Sequence, residues 1–209
     1  MKISLIAGVS ALVLAAGSAG AATLTVPGTS DPFLAGAPSG GYVTFSTGDV
    51  DTAPAESPVG VAVTTGGTVT ISDVTGAVSN GSCCAAVGPT GGGPISSASL
   101  TATDFTELVS GFSNLPINSL VGVFYGPNPS NPGVDTVFEI GDGGTFKVPT
   151  GATELYLATV DGYQWNNNTG AFTASVAVPE PATWAMMLVG FGGLGAAMRS
   201  RRKLAAAAA

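Results

Sequence analysis

Residues 161–170, DGYQWNNNTG, gather the side chains of this chain best suited to chemistry. A carboxylate, neighbouring carboxamides and loop carbonyls are hard oxygen donors of the kind that hold calcium at about 2.3–2.6 Å. Asp161 would supply one or two oxygens and Asn167 and Asn168 one side-chain oxygen each, with the carbonyl of Gln164 or Trp165 turned inward between them. Tyr163 and Trp165 flank the position and offer rings on which a sugar can stack; the same two rings also suit a small hydrophobic patch internal to the loop. The competing reading needs no metal: Asn, Gly and Thr are turn formers, and Asp161 then bonds its own loop. Asp49, Asp51 and Glu56, in TGDVDTAPAESPVG, form a second acidic loop, where Asp49 and Asp51 hold a second cation or are simply solvated.

Other chemistries are narrowed by what the chain lacks. Its 209 residues contain no His, which removes nucleophile–His pairs and the commonest transition-metal ligand. A carboxylate hydrolase built from Glu139, Glu154 or Asp161 needs two groups at a set separation, and strand alternation places no two of them in an evident cleft. The expectation is a protein that is not an enzyme. Between residues 23 and 178 stand 12 acids and a single base, Lys147, so this stretch repels nucleic acid and suits a cation or a neutral ligand. Cys83 and Cys84 are the only cysteines and are adjacent. In an oxidising compartment a vicinal disulfide, an intermolecular link and buried thiols compete, and the vicinal clamp is the favoured reading.

The elements that must position these groups are short strands. With 31 Gly and 14 Pro the chain is rich in turns. Period-2 alternation runs through GGTVTISDV (66–74), NSLVGVFYG (118–126), TELYLATVDG (153–162) and GAFTASVAV (170–178). DTVFEIGDGGTFKVPTG (135–151) reads as strand, Gly-rich turn, strand, and 161–170 as a long hairpin loop. Such a pattern predicts an all-β sandwich. LTATDFTELVSGF (100–112) reads as a turn or two of helix or as a strand with a polar outer face.

Residues 146–176, FKVPTGATELYLATVDGYQWNNNTGAFTASV, resemble the carboxyl-terminal half of PA-IL-type calcium-dependent galactose-binding lectins. That resemblance implies a jelly-roll-like β-sandwich in which calcium bridges the protein and two sugar hydroxyls. Its acidic ligand falls on Asp161, its carbonyl ligand on Gln164 and its paired asparagines on Asn167 and Asn168, with a loop one residue shorter than the lectin pattern. A further carbonyl from an early strand is expected, and the neighbourhood of Tyr42 is its nearest candidate.

Both ends read as addresses. MKISLIAGVSALVLAAGSAGAA has a charged start, an apolar stretch and a small-residue A-x-A site, which predicts a secretory signal peptide at 1–22. An exported domain then occupies 23–178. At the other end, Pro179, Glu180 and Pro181 precede a run with no charge from Trp184 to Met198, followed by Arg199, Arg201, Arg202 and Lys203. Counted from Pro181, the run would make a helix of roughly 27 Å, just short of the hydrocarbon slab of about 30 Å. This predicts a short transmembrane helix with its basic end in the cytoplasm, leaving an Ala-rich tail at 204–209.

The order Pro-Glu-Pro, Trp184-Ala185-Met186-Met187, glycine-rich run and basic end resembles the PEP-CTERM sorting signal over 179–203. The resemblance implies processing by an exosortase in a Gram-negative bacterium that makes extracellular polysaccharide, with the motif as substrate. The expected protein is secreted to the cell surface or matrix, tethered to the inner membrane before cleavage, and a calcium-dependent carbohydrate-binding module retained with exopolysaccharide. The alternative is a structural surface protein without sugar binding.

Overall fold

The computed structural model describes residues 21–45, 47–81, 84–93, 115–128, 130–131, 133–179, 188–193, 195–196 and 199. The chain divides into two compact units, residues 19–179 and residues 1–18 with 180–209. Among its described residues the first contains ten strands: β1 (Ala21–Pro27), β2 (Tyr42–Thr44), β3 (Val50–Thr52), β4 (Val59–Ala62), β5 (Thr68–Ser79), β6 (Leu120–Tyr125), β7 (Val137–Glu139), β8 (Gly144–Lys147), β9 (Glu154–Thr159) and β10 (Thr169–Ala177). They form two four-stranded sheets, ordered β1-β10-β5-β8 and β4-β9-β6-β7, and a β2–β3 hairpin, with every strand pairing among the described residues antiparallel. The all-β sandwich is therefore present.

Side-chain alternation explains how the sheets stack. Val69 and Ile71 of β5 and Phe172, Ala174 and Val176 of β10 face Leu120 and Phe124 of β6 and Leu155 and Leu157 of β9, and all are buried. Fully burying each large apolar side chain contributes about 1.5–3 kcal/mol, so this interior layer dominates the stability of the sandwich. The strands β6 and β9 carry apolar residues on their other face as well. Val121, Val123, Ala158 and Val160 pack under a second cluster of Phe33, Leu34, Val43, Phe45 and Trp165. That cover comes from the β2–β3 hairpin, a 3-10 turn at Pro32–Leu34 and the chain after β9. Continuous apolar runs such as LVGVFY belong to strands buried on both sides.

The strand, Gly-rich turn and strand expected over 135–151 are present as β7 and β8, while the hairpin loop expected over 161–170 is not formed. The residues between β7 and β8 join different sheets, since β7 pairs with β6 and β8 with β5. Likewise β9 pairs with β4 and β6 while β10 pairs with β1 and β5, so residues 160–168 arch between sheets and form no hairpin loop. The physical reason is the shared interior: each strand of the pair places its apolar face toward the other sheet. The segment 100–112 lies outside the described residues.

The C-terminal reading requires correction. Among the described residues no helix is long and apolar enough to cross a membrane. The described tail is helical at 188–193, 195–196 and 199. The transmembrane helix, and with it tethering of the chain to the inner membrane before processing, is overturned. The charge-free run Pro181–Met198 has 18 residues, at the short end of the ~20 used to span a bilayer. Gly190, Gly192, Gly193 and Gly195 each weaken a helix by about 1 kcal/mol relative to Ala. Residues 1–20 and 200–209, which hold most of the expected signal peptide and all of the Ala-rich tail, lie outside the described residues. Ala21 and Ala22, where cleavage was expected, open β1 in register with Ala177 and Val176.

Candidate functional site

One end of the sandwich is closed by three segments that meet: the chain after β1, the β2–β3 hairpin and the 160–168 arch. Gly28 joins the chain after β1 to the arch. Its carbonyl accepts Thr159 Oγ1 at 2.7 Å and Asn168 Nδ2 at 3.2 Å, and its amide donates to the Gly170 carbonyl at 2.9 Å. Two residues on, the Ser30 carbonyl accepts the Thr159 amide at 3.0 Å. Asp31 then caps the 3-10 turn, its Oδ1 accepting the Phe33 amide at 2.8 Å, with Pro32 at the first helical position where no amide is needed.

Within the arch, Gln164 adopts a left-handed conformation, φ 63° and ψ 45°, and opens a 3-10 turn at Trp165–Asn167. Its amide donates to Asp49 Oδ2 at 2.7 Å, which ties the arch to the hairpin. Trp165 is fully buried, its Nε1 donating to the Thr159 carbonyl at 2.9 Å and its ring stacked on Phe45 at 5.3 Å. It presents no face to a sugar, so the stacking role given to it is corrected: it is the loop's own hydrophobic anchor. Tyr163 is 41% exposed and keeps a ring at the surface.

The expected ligands divide. Asp161 is 2% and Asn168 5% exposed, and each has a buried oxygen, Asp161 Oδ2 and Asn168 Oδ1, with no hydrogen-bond partner among the described residues. The other Asp161 oxygen accepts the Gly162 amide at 2.5 Å and Asn80 Nδ2 at 3.1 Å. Asn167 is exposed instead, its Nδ2 donating to Gln164 Oε1 at 3.2 Å. The Gln164 carbonyl accepts the Asn167 amide at 3.0 Å. The chain after β5 reaches this place, as does the Gly28 carbonyl after β1. Asn80 bonds Asp161, and a Cβ added at Gly81 would stand 3.0 Å from Asn167 Oδ1. Tyr42, 50% exposed, points outward from the hairpin.

Sequence reasoning missed two buried carboxylates. The sequence offers Asp51 as a second-cation ligand with Asp49 or as a solvated group; it sits opposite Val43 in the β2–β3 register and is 0% exposed, with neither carboxylate oxygen partnered among the described residues. Asp31 is also 0% exposed, and its Oδ2 has no partner among the described residues. The readable signals were the alternation of Val50, Asp51 and Thr52 and the Asp-Pro order of a helix cap. Burial raises the pKa of Asp31, Asp51 and Asp161 alike. Asp51 is pushed up to about 7, first by desolvation and then by the charges of Asp49 and Glu56. Desolvation also lifts Asp31 well above the carboxylate range, with Asp51, Glu56 and Asp161 adding repulsion. Asp161 is raised by desolvation, and the Gly162 amide, the Asn168 and Asn80 amides and the Tyr163 N–H partly offset that rise. The Trp165 N–H favours ionised Asp51 in the same way without satisfying either oxygen by direct hydrogen-bond geometry.

Among the described residues no three acidic or sulfur side chains converge on one point that would hold a metal. An ion here would have at most two carboxylate ligands and would be completed by hydroxyl, amide and carbonyl oxygens, a set that suits calcium better than a transition metal. The carboxylates considered for hydrolysis are dispersed. Glu154 opens β9 and Asp161 follows its end, so a strand of roughly 17 Å from Glu154 to Thr159 separates them beyond the glycosidase range. Glu139 is exposed on β7, and Glu154 accepts a short hydrogen bond from the Tyr156 hydroxyl. Cys84 is disulfide-bonded, and a chain with two cysteines offers it one intramolecular partner; Cys83 lies outside the described residues.

Residues 177–203 match the family model of the PEP-CTERM protein-sorting motif. The chain thus carries this motif, with Pro179, Glu180, Pro181, Trp184 and Ala185 inside the matched span. No curated protein matches the chain. A solved structure described as "EclA N-terminal domain; PllA-like lectin" is similar at 20% identity and a TM-score of 0.41, over 74% of this chain and 93% of that one. So loose a likeness leaves the fold to be read from the strand pairings alone.

Proposed function

We propose that this chain is an exported surface or matrix protein, processed at its PEP-CTERM motif by an exosortase, whose sandwich binds carbohydrate through calcium without catalysing a reaction. The sorting motif supports the first half of this reading. The second half is carried by one observation: Asp161 Oδ2 and Asn168 Oδ1 belong to the same arch, are buried, and have no hydrogen-bond partner among the described residues. Leaving such oxygens without a positive partner costs about 1–3 kcal/mol each, more for a charged group. Calcium would take these two oxygens, with carbonyls of the 80–81 and 164–165 backbone near them. The resemblance of 146–176 to PA-IL-type lectins supplies the ligand class, vicinal sugar hydroxyls, and Tyr163 is the exposed ring beside them.

The test is a calcium titration of the full chain followed by a glycan array with and without chelator. The expected result is a thermal shift with calcium, lost in the double variant D161A/N168A, and glycan signals that need calcium. An unchanged shift in the variant rules out this loop. A calcium shift without any glycan signal leaves a structural surface protein with a cation-stapled arch.

A further inference from the structure

The region around Gly28 buries more negative charge than one loop-bound ion balances. Asp31, Asp51 and Asp161 are all at most 2% exposed, and four of their six oxygens have no hydrogen-bond partner among the described residues. The only base between residues 23 and 178 is Lys147, which lies on β8 at the edge of the other sheet. Asp161 belongs with Asn168 and Asn80 in the arch. Asp31 and Asp51 belong to a different pair of segments, the turn after β1 and the β2–β3 hairpin, which meet over the outer face of the sheet. Phe33, two residues from Asp31, packs edge-on against Phe45 of the hairpin segment at 5.5 Å, so the two carboxylates border one aromatic cluster.

A solvated acidic loop does not explain these groups. Asp51 shares the inward face of the hairpin with Val43. Its neighbour Thr52 meets the opposite need: the amide and hydroxyl of this exposed residue both donate to Glu56 Oε2, at 2.8 and 3.2 Å. The Glu56 carbonyl in turn accepts the Asp31 amide at 2.8 Å, which brings the 52–56 turn against the start of the 3-10 turn. Ser30 Oγ, 1% exposed and also without a partner among the described residues, is a fourth buried oxygen, on the residue preceding Asp31. It is neutral, so its lack of a donor or acceptor cannot be assigned to repulsion among acids. Two carboxylates and a hydroxyl are hard donors that a calcium ion accepts together with backbone carbonyls.

We infer that Asp31 and Asp51, with Ser30 Oγ, bind a second calcium ion, distinct from the one proposed at Asp161, which fastens the β2–β3 hairpin to the turn after β1. The ion closes the cover over Trp165 and so steadies the arch from beneath, since Asp49 of the same hairpin holds the Gln164 amide. The site does not depend on sugar binding, and it stands or falls separately from the loop site.

Calcium stoichiometry of the purified full chain, by equilibrium dialysis at pH 7.5, separates the cases. The expected result is two ions per chain, one in Asp51→Asn and one in Asp161→Asn. Tryptophan fluorescence of Asp51→Asn shows whether the cover still folds. Asp31→Asn is the second variant, because Asn retains the cap at the 3-10 turn, and it too should bind a single ion. One ion in the wild type, lost in Asp161→Asn and kept in Asp51→Asn and Asp31→Asn, overturns this inference while sparing the loop. One ion lost in Asp51→Asn and kept in Asp161→Asn supports the inference and rejects the loop. No bound calcium overturns both, and the buried carboxylates then keep protons instead.

Discussion

Replacing Asp51 by Asn tests whether the hairpin carboxylate is as deeply buried as the structure places it. The folded group titrates at about 7 against an ordinary value of 3.8. Between those values the folded chain binds a proton that the unfolded chain has lost. Stability therefore falls as pH rises through that window, is highest below it and levels off above it. A rise of about three units at 1.36 kcal/mol each sets a ceiling of about 4 kcal/mol, and relaxation with water entry reduces it to about 2. For a domain of this size, 2 kcal/mol shifts Tm by about 4–8 °C. The assay is thermal melting of the full chain in chelator, followed by circular dichroism from pH 4.5 to 7.5, for the wild type and Asp51→Asn. General repulsion among the surface acids acts on both proteins, so the informative quantity is the difference in slope. The wild type should lose several degrees more than the variant across the window. Calcium should restore most of that loss at pH 7.5 and little at pH 4.5, because a cation competes with the proton for the carboxylate. Parallel slopes in chelator would refute the burial of Asp51.

Other substitutions examine the cover, the arch and the tail. Trp165→Ala should cost about 3–5 kcal/mol in chemical denaturation, and Trp165→Phe far less, because the ring fills a cluster with Phe33 and Phe45. Gly170→Ala should cost on the order of 2–4 kcal/mol, since its φ is +85° and a Cβ would stand 2.2 Å from the Ala77 carbonyl oxygen in the adjacent strand; an unchanged denaturation midpoint would contradict that contact. Changing Pro179, Glu180 and Pro181 together to Ala should leave the chain uncut in the producing cell, read as the intact mass of the recovered protein.

The strand pattern and the tail were legible in the chain itself. Alternation placed Phe172, Ala174 and Val176 on one face of β10 and separated Leu120 and Phe124 from Val121 and Val123 in β6, and both faces proved to be buried. Pro-Glu-Pro with Trp184 and Ala185 announced the sorting motif that the family model matches. A charge-free stretch, by contrast, was over-read as a membrane span: its described residues are helical, but among them no helix is long and apolar enough to cross a bilayer.

Asp161 and Asn168 were also readable, since they share one short loop. Asn167 was not separable from Asn168 until the 3-10 turn sent one side chain outward and the other in. Alternation tells which side chains share a face but not which sheet a strand joins, so the assignment of β9 and β10 to opposite sheets came only from long-range pairing. The same limit hid Asp31 and Asp51. A carboxylate among Gly, Pro and Thr reads as solvated, and only the packing of distant aromatic residues over β6 and β9 takes the water away from it. Local residue order thus determined the strands and the address, whereas the buried charge is a property of segments that meet only when the chain folds.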